Sequence, residues 1–124
     1  MKKCIYVVED NINLREVLEF LLVEEKYQVK TCPSIKDFWL QMQHHLPDMV
    51  VLDVLLPDGN GLDICTKLKQ SAKTHNIPIM LMSANNYLNK IKSKCSAEAF
   101  INKPFDVNDF IKRIEKFAPN YKAV

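Results

Sequence analysis

Read from its amino end, the chain alternates short apolar runs with longer stretches in which apolar residues return every three or four positions. The runs CIYVV (4–8), MVVL (49–52), IPIMLM (77–82) and AFI (99–101) are too short for helices and rich in β-branched and long aliphatic side chains. They predict strands. MVVL has no polar position at all, as expected of a central parallel strand covered on both faces. YQVKT (27–31) alternates apolar with polar, as a strand near a sheet edge would. Pro78 is tolerable only near the start of its strand.

Between these runs the period changes to that of a helix. Leu14, Val17, Leu18 and Leu21 share one face, with Asn13 and Glu16 spaced like a capping box. Ser34 can cap a helix whose inner face is Ile35, Phe38, Trp39 and Met42 and which ends before Pro47. Leu62, Cys65 and Leu68 mark a third helix. Leu88 and Ile91 mark a weaker fourth over residues 86–94. Val107, Phe110, Ile111, Ile114 and Phe117 trace a fifth, which Pro119 ends. Five strands alternating with five helices make an α/β fold with a doubly wound parallel sheet. Right-handed crossovers favour a flavodoxin-like order, 2-1-3-4-5. With no internal repeat, linker or low-complexity segment, residues 1–124 read as one domain.

Composition narrows the classes of function. A net charge of +2 is too small to imply a polyanion partner, so no nucleic-acid contact is expected within the chain. The charge is uneven: residues 1–86 carry 9 Lys/Arg against 11 Asp/Glu, and residues 87–124 carry 8 against 4. A solvated lysine-rich surface accounts for that bias as well as an interaction face does. The apolar run after Met1-Lys2-Lys3 stops at Glu9-Asp10, too soon for a signal peptide, and no segment is long enough to span a membrane. Cys4, Cys32, Cys65 and Cys95 lie about thirty residues apart with no CxxC pair. That spacing predicts neither zinc nor disulfides but reduced thiols in a cytoplasmic protein. His44, His45 and His75 lack ligand spacing and read as surface residues.

The polar residues at the carboxyl ends of the strands are the informative ones, because ligands in such sheets bind there, at the switch point. Strand 1 ends in Glu9-Asp10, strand 3 in Asp53 and strand 4 in Ser83, and strand 5 runs into Lys103. Asp53 sits inside MVVLDVLLPDGNG, among aliphatic side chains, where an unpaired charge is costly. The chain's two glycines, Gly59 and Gly61, follow it directly. Each residue has an ordinary explanation: a turn-former, a helix-dipole partner, a cap, a solvated lysine. Their coincidence at the ends of four strands is what those explanations do not cover. Three converging carboxylates repel one another unless a cation intervenes, and Mg2+ is the natural oxygen-liganded choice. A lysine and a hydroxyl opposite would suit the free oxygens of a phosphoryl group, and a carboxylate such as Asp53 can be its nucleophile.

The set VVEDN, VLDVLLPDGNG, MSAN and FINKPF resembles the receiver domain of two-component response regulators over nearly the whole chain. The resemblance implies that Asp53 accepts phosphate from a sensor histidine kinase or a histidine phosphotransfer protein. It implies that Glu9, Asp10, Asp53 and the Leu55 carbonyl hold Mg2+. It places Ser83 and Lys103 on the phosphoryl group, Lys103-Pro104 as a cis peptide, and Ser83 and Phe100 as switch residues. The surface of the fourth helix, fifth strand and fifth helix would then change its affinity for a partner or for a second copy. Ser96 stands where many members carry glycine, and Phe100 lacks the hydroxyl of the tyrosine often found there.

The rival reading is a phosphohydrolase resembling the haloacid dehalogenases, which place a second aspartate two residues after the nucleophile. Leu55 occupies that position and cannot transfer a proton, so a phosphoaspartate here should persist as a signal. The resemblance to receiver domains also implies that Leu55 and Asn85 stand at positions the family uses to admit or exclude water, and an apolar Leu55 predicts slow self-hydrolysis. A flavin or nucleotide module is unsupported, since neither GxGxxG nor GxxxxGK[ST] occurs.

Overall fold

The structure is a computed structural model that describes residues 2–84, 90 and 92–120. Strand β1 (Cys4–Val8) leads through a short loop to helix α1 (Ile12–Glu24), followed by β2 (Gln28–Cys32), α2 (Ile35–His44) and β3 (Met49–Asp53). A small antiparallel hairpin, β4 (Leu55–Leu56) and β5 (Gly59–Asn60), precedes α3 (Gly61–Gln70). Then come β6 (Ile79–Ala84), a 3-10 turn (Lys92–Lys94), β7 (Ala99–Lys103) and α4 (Val107–Phe117). The predicted fourth helix, over 86–94, falls mostly on residues outside the described ones.

Five strands form one parallel sheet in the order β2-β1-β3-β6-β7. Leaving the hairpin out of the count, this is the predicted 2-1-3-4-5. The pattern of burial explains why the sequence reads as it does. Strands β1 and β3 are buried at every position, whereas the edge strand β2 alternates. Two cores lie on opposite faces of the sheet. Phe38 of α2 and Ile64, Cys65 and Leu68 of α3 pack with Tyr6, Val50 and Leu81 on one. Leu18 and Leu22 of α1 and Phe110 and Ile114 of α4 pack with Val7, Val51 and Met80 on the other.

Helix starts follow local chemistry. Ser34, Asn60 and Asp106 cap α2, α3 and α4, each side chain accepting a backbone N–H of the first turn. The first helix corrects the capping-box expectation. Asn11, not Asn13, is its cap, and its Oδ1 accepts the Leu14 N–H at 3.0 Å. The buried stripe is also turned: Leu18 and Leu22 are fully enclosed while Val17 is 51% exposed. Hydrophobic spacing defines a face only to within one residue, and contact with the sheet selects the edge of the stripe.

The cysteines require a second correction. Cys65 on α3 and Cys95, just beyond the 3-10 turn, are joined as a disulfide with their Cα atoms 6.7 Å apart. Cys4 and Cys32 are free and buried. Even spacing along the chain carried no sign of this pairing. It arises because the fold sets α3 and the approach to β7 side by side on the same face of the sheet. Ser96, by contrast, needs no glycine-like backbone: Lys26, with φ of 71°, is the one described non-glycine residue with positive φ.

Candidate functional site

The register of the sheet assembles the site. Val8 lies opposite Leu52, so Glu9 follows beside Asp53; Asp53 lies opposite Met82, so Ser83 comes next; and Ala84 lies opposite Lys103. Residues far apart in sequence therefore meet within two rungs at the carboxyl edge.

Lys103 is the hub. Its Nζ donates to Glu9 Oε1 at 2.6 Å and to Asp53 Oδ2 at 2.7 Å. The other oxygens of both carboxylates are occupied by backbone: Asn11 N–H donates to Glu9 Oε2 at 3.0 Å, and Leu55 N–H donates to Asp53 Oδ1 at 3.2 Å. Glu9 is 1% and Asp53 6% exposed. Burial pushes the Glu9 carboxyl above its usual range, against the opposing pull of the Lys103 ammonium and the Asn11 N–H. Burial alone would lower the Lys103 pKa, but hydrogen bonds to Asp53 and Glu9 outweigh it and the net direction is up. The Lys103–Pro104 peptide is cis.

Carboxylate oxygens of Glu9, Asp10 and Asp53 lie within 4.8 Å of one another, Asp10 on the solvent side. This donor set fits a small hard cation: all oxygen, three negative charges, one open flank. Ser83 is buried beside it, and its hydroxyl makes only a marginal 3.5 Å contact with the Ala84 carbonyl. Leu55, in the adjoining hairpin, is 65% exposed. Phe100 is half-buried on β7, with Lys92 Nζ 6.0 Å from its ring centroid. The structure thus brings Glu9, Asp10, Asp53, Leu55, Ser83 and Lys103 to one edge and leaves Phe100 further back along β7. Asn85 lies outside the described residues.

Glycine shapes the loop beside Asp53. A Cβ on Gly61 would come 2.3 Å from the Asp53 carbonyl oxygen, and Gly59 has a left-handed φ of 156°. Asp58 closes the hairpin onto α2 by accepting the Ile35 N–H at 2.9 Å and the Lys36 N–H at 3.1 Å. The first of these bonds is the main reason its carboxyl stays below the usual range.

Three residues at or near the site were missed by sequence reasoning. Asp58 is one. Arg15 Nη1 donates to the carbonyls of Glu9 and Asp10 at 2.9 and 3.2 Å, pinning the acidic loop. Arg113 Nη1 donates to the Phe100 carbonyl at 2.7 Å while its Nε pairs with Asp109 at 3.2 Å. A charged residue on an amphipathic helix gives no local sign that it reaches a loop or strand, so nothing in the sequence marked these.

The profile of the response regulator receiver domain matches residues 5–115. The response regulator ArlR of Staphylococcus aureus is 36% identical over 112 residues, which are 89% of this chain and 50% of ArlR. The chain thus spans about half the length of the curated relatives it matches. A putative response regulator from Chloroflexus aurantiacus superposes with a TM-score of 0.88 at 25% identity, covering 94% of this chain and 98% of its own. The response regulator TrrA of Thermotoga maritima, solved in complex with Mg2+ and BeF, gives 0.84 at 26% identity, with coverages of 94% and 99%.

Proposed function

This chain belongs to the response regulator receiver domain family, and on that premise we propose that it is a phospho-acceptor switch whose acceptor is Asp53. One observation carries the reading: a single ammonium, Lys103, bridges two buried carboxylates at the carboxyl edge of the sheet, beside an exposed third. The donor is a phosphohistidine of a sensor kinase or a phosphotransfer protein. An Asp53 carboxylate oxygen attacks phosphorus, the P–N bond breaks, and the imidazole leaves with its electron pair. Glu9, Asp10, Asp53 and the Leu55 carbonyl would hold Mg2+, which when bound neutralises charge on the transferring group. The complex of TrrA with Mg2+ and BeF supports that part of the reading.

Phosphorylation replaces a carboxylate with a group of about −1.5 to −2 charges. Lys103 then exchanges its carboxylate contact for a phosphoryl oxygen, and the Ser83 hydroxyl, weakly engaged, turns to donate to another. Movement at Ser83 and on β7 reaches Phe100, and the surface of the helix predicted over 86–94, β7 and α4 changes its affinity for a partner or a second copy. The chain catalyses only its own phosphorylation and slow loss of phosphate, since Leu55 offers no proton. A cytoplasmic location accords with no described helix being long and apolar enough to cross a membrane.

The test is intact mass after incubation with acetyl phosphate. Wild type with Mg2+ should gain one phosphoryl group; without Mg2+, or in Asp53→Asn, it should gain none. Labelling retained in Asp53→Asn would remove Asp53 from this role, and continuous release of phosphate over many turnovers would favour a hydrolase.

A further inference from the structure

Cys65 and Cys95 play no part in the proposed phosphate chemistry, yet they join α3 to the approach to β7, the strand that the switch would have to move. Cys65 is fully enclosed on α3, whereas Cys95 is half-buried, the one cysteine with solvent access. It follows Lys94 directly and lies three residues after Lys92. Cys4 and Cys32 are unsuited to exchange: burial pushes the Cys4 thiol up and the Cys32 thiol up to about 12.

A second contact shows what the bond secures. Four residues along α3 from Cys65, Lys69 Nζ pairs with Glu98 Oε2 at 2.7 Å and also donates to the Ile77 carbonyl at 2.9 Å. Glu98 Oε1 in turn accepts the Ile79 N–H at 2.8 Å. The four-residue approach to β7, Cys95–Glu98, is therefore fastened to α3 at both ends. One fastening is ionic and partly exposed; the other is covalent. Cys95, Ala97 and Phe100 pack against the same core as Cys65.

We infer that Cys65 and Cys95 form a reversible dithiol–disulfide site, oxidised by a low-molecular-weight disulfide, whose oxidised form ties the approach to β7 onto α3. The Cys95 thiolate attacks one sulfur of the small disulfide, whose S–S bond breaks and releases one thiolate, which takes up a proton. Cys65 then gives up its proton and attacks the Cys95 sulfur, expelling the second small thiol. Two protein thiols are oxidised and one small disulfide is reduced to two thiols. Because β7 carries Phe100 and ends in Lys103, the oxidised form disfavours the rearrangement that accompanies phosphorylation. This last consequence rests on the reading of Asp53 as phospho-acceptor.

The experiment equilibrates the chain with mixtures of reduced and oxidised glutathione and follows thiol count, intact mass and amide hydrogen exchange. Two of the four thiols should disappear together with the loss of two hydrogens, and peptide mapping should join Cys65 to Cys95. Amides of residues 95–100 should exchange more slowly in the oxidised protein, and Cys95→Ser should lose all redox dependence. A stable glutathione adduct at Cys95, or four thiols persisting across the series, overturns the site. A disulfide that leaves exchange of 95–100 unchanged overturns the tether. With acetyl phosphate and Mg2+, oxidised wild type should label about fivefold more slowly than reduced, the low end of common coupling between sites. Equal or faster labelling overturns the coupling. Absence of label in both redox states would instead refute the phospho-acceptor reading, leaving the thiol result to stand or fall alone.

Discussion

Lys103 Nζ and Asp53 Oδ2 lie 2.7 Å apart although fifty residues separate them in the chain. The same ammonium reaches Glu9, 94 residues away, so one cation holds the first, third and last strands of the sheet at their carboxyl ends. Removing it leaves two buried carboxylates facing each other. Lys103→Met should therefore lower stability by about 2 kcal/mol, below the usual loss for a fully buried pair because the lysine keeps some contact with water. Urea denaturation measures this. Mg2+ should recover part of the loss in the variant, since it can take over the neutralising role.

Asp10 is the exposed member of the acidic trio and makes no ion pair among the described residues. Its replacement by Asn should leave stability without metal within about 0.5 kcal/mol. The gain from saturating Mg2+ in wild type, about 2.7 kcal/mol at a hundredfold excess over the dissociation constant, should shrink in Asp10→Asn. Thermal unfolding with and without Mg2+ separates the two effects.

Leu55 is 65% exposed at the mouth of the site, on the hairpin that follows Asp53. An apolar side chain there cannot orient an attacking water. Leu55→Glu should shorten the lifetime of the phosphorylated protein by about tenfold, less than the roughly hundredfold or more of a fully positioned base because the side chain is largely exposed. Phosphate loss followed by mass after removal of the donor is the check, and an unchanged lifetime would argue against this role.

The two glycines should respond differently to alanine. At Gly61 the new methyl meets the Asp53 backbone, which cannot yield without moving the acceptor, so a loss of about 3 kcal/mol is expected together with slower phosphorylation. At Gly59 it would meet Ile35 Cδ1 at 2.7 Å, the end of a flexible side chain, so the cost is the strained φ, about 1 kcal/mol. Equal losses in urea would contradict this account.

Alkaline pH should destabilise the chain through its buried acids, Tyr27 and Cys32 above all. Burial pushes the Tyr27 phenol from 10.0 to about 12, with Glu115 and Glu25 adding to it, and the Cys32 thiol from 9.0 to about 12. Both folded values are raised, so the folded chain keeps these protons after the unfolded chain has released them. Stability is then unaffected below about pH 9 and falls as pH rises toward 12, by up to about 1.4 kcal/mol per pH unit for each group inside its window. Urea midpoints across that range should show the slope. Tyr27→Phe should remove only the tyrosine's share of the slope between pH 10 and 12, leaving that of Cys32, while costing about 1 kcal/mol at neutral pH because the Ala118 carbonyl loses its 2.7 Å donor.

Much of this protein was legible from its order of residues. The apolar runs 4–8 and 49–52 became strands buried at every position, alternation in 27–31 became an edge strand, and four of the five helical stripes became helices, because each pattern reflects which sides of an element face water. The candidate site was legible for the same reason, since in a parallel sheet the residue after each apolar run must emerge at one edge, and Glu9, Asp53, Ser83 and Lys103 do. Contacts between elements were decided only by the packed structure. Whether Arg15 reaches the acidic loop, Arg113 the Phe100 carbonyl, or Cys65 meets Cys95 depends on distances set when helices settle on the sheet. Long side chains and lone thiols carry no periodic signal of their partner, because what selects it is proximity across the fold and not position along the chain.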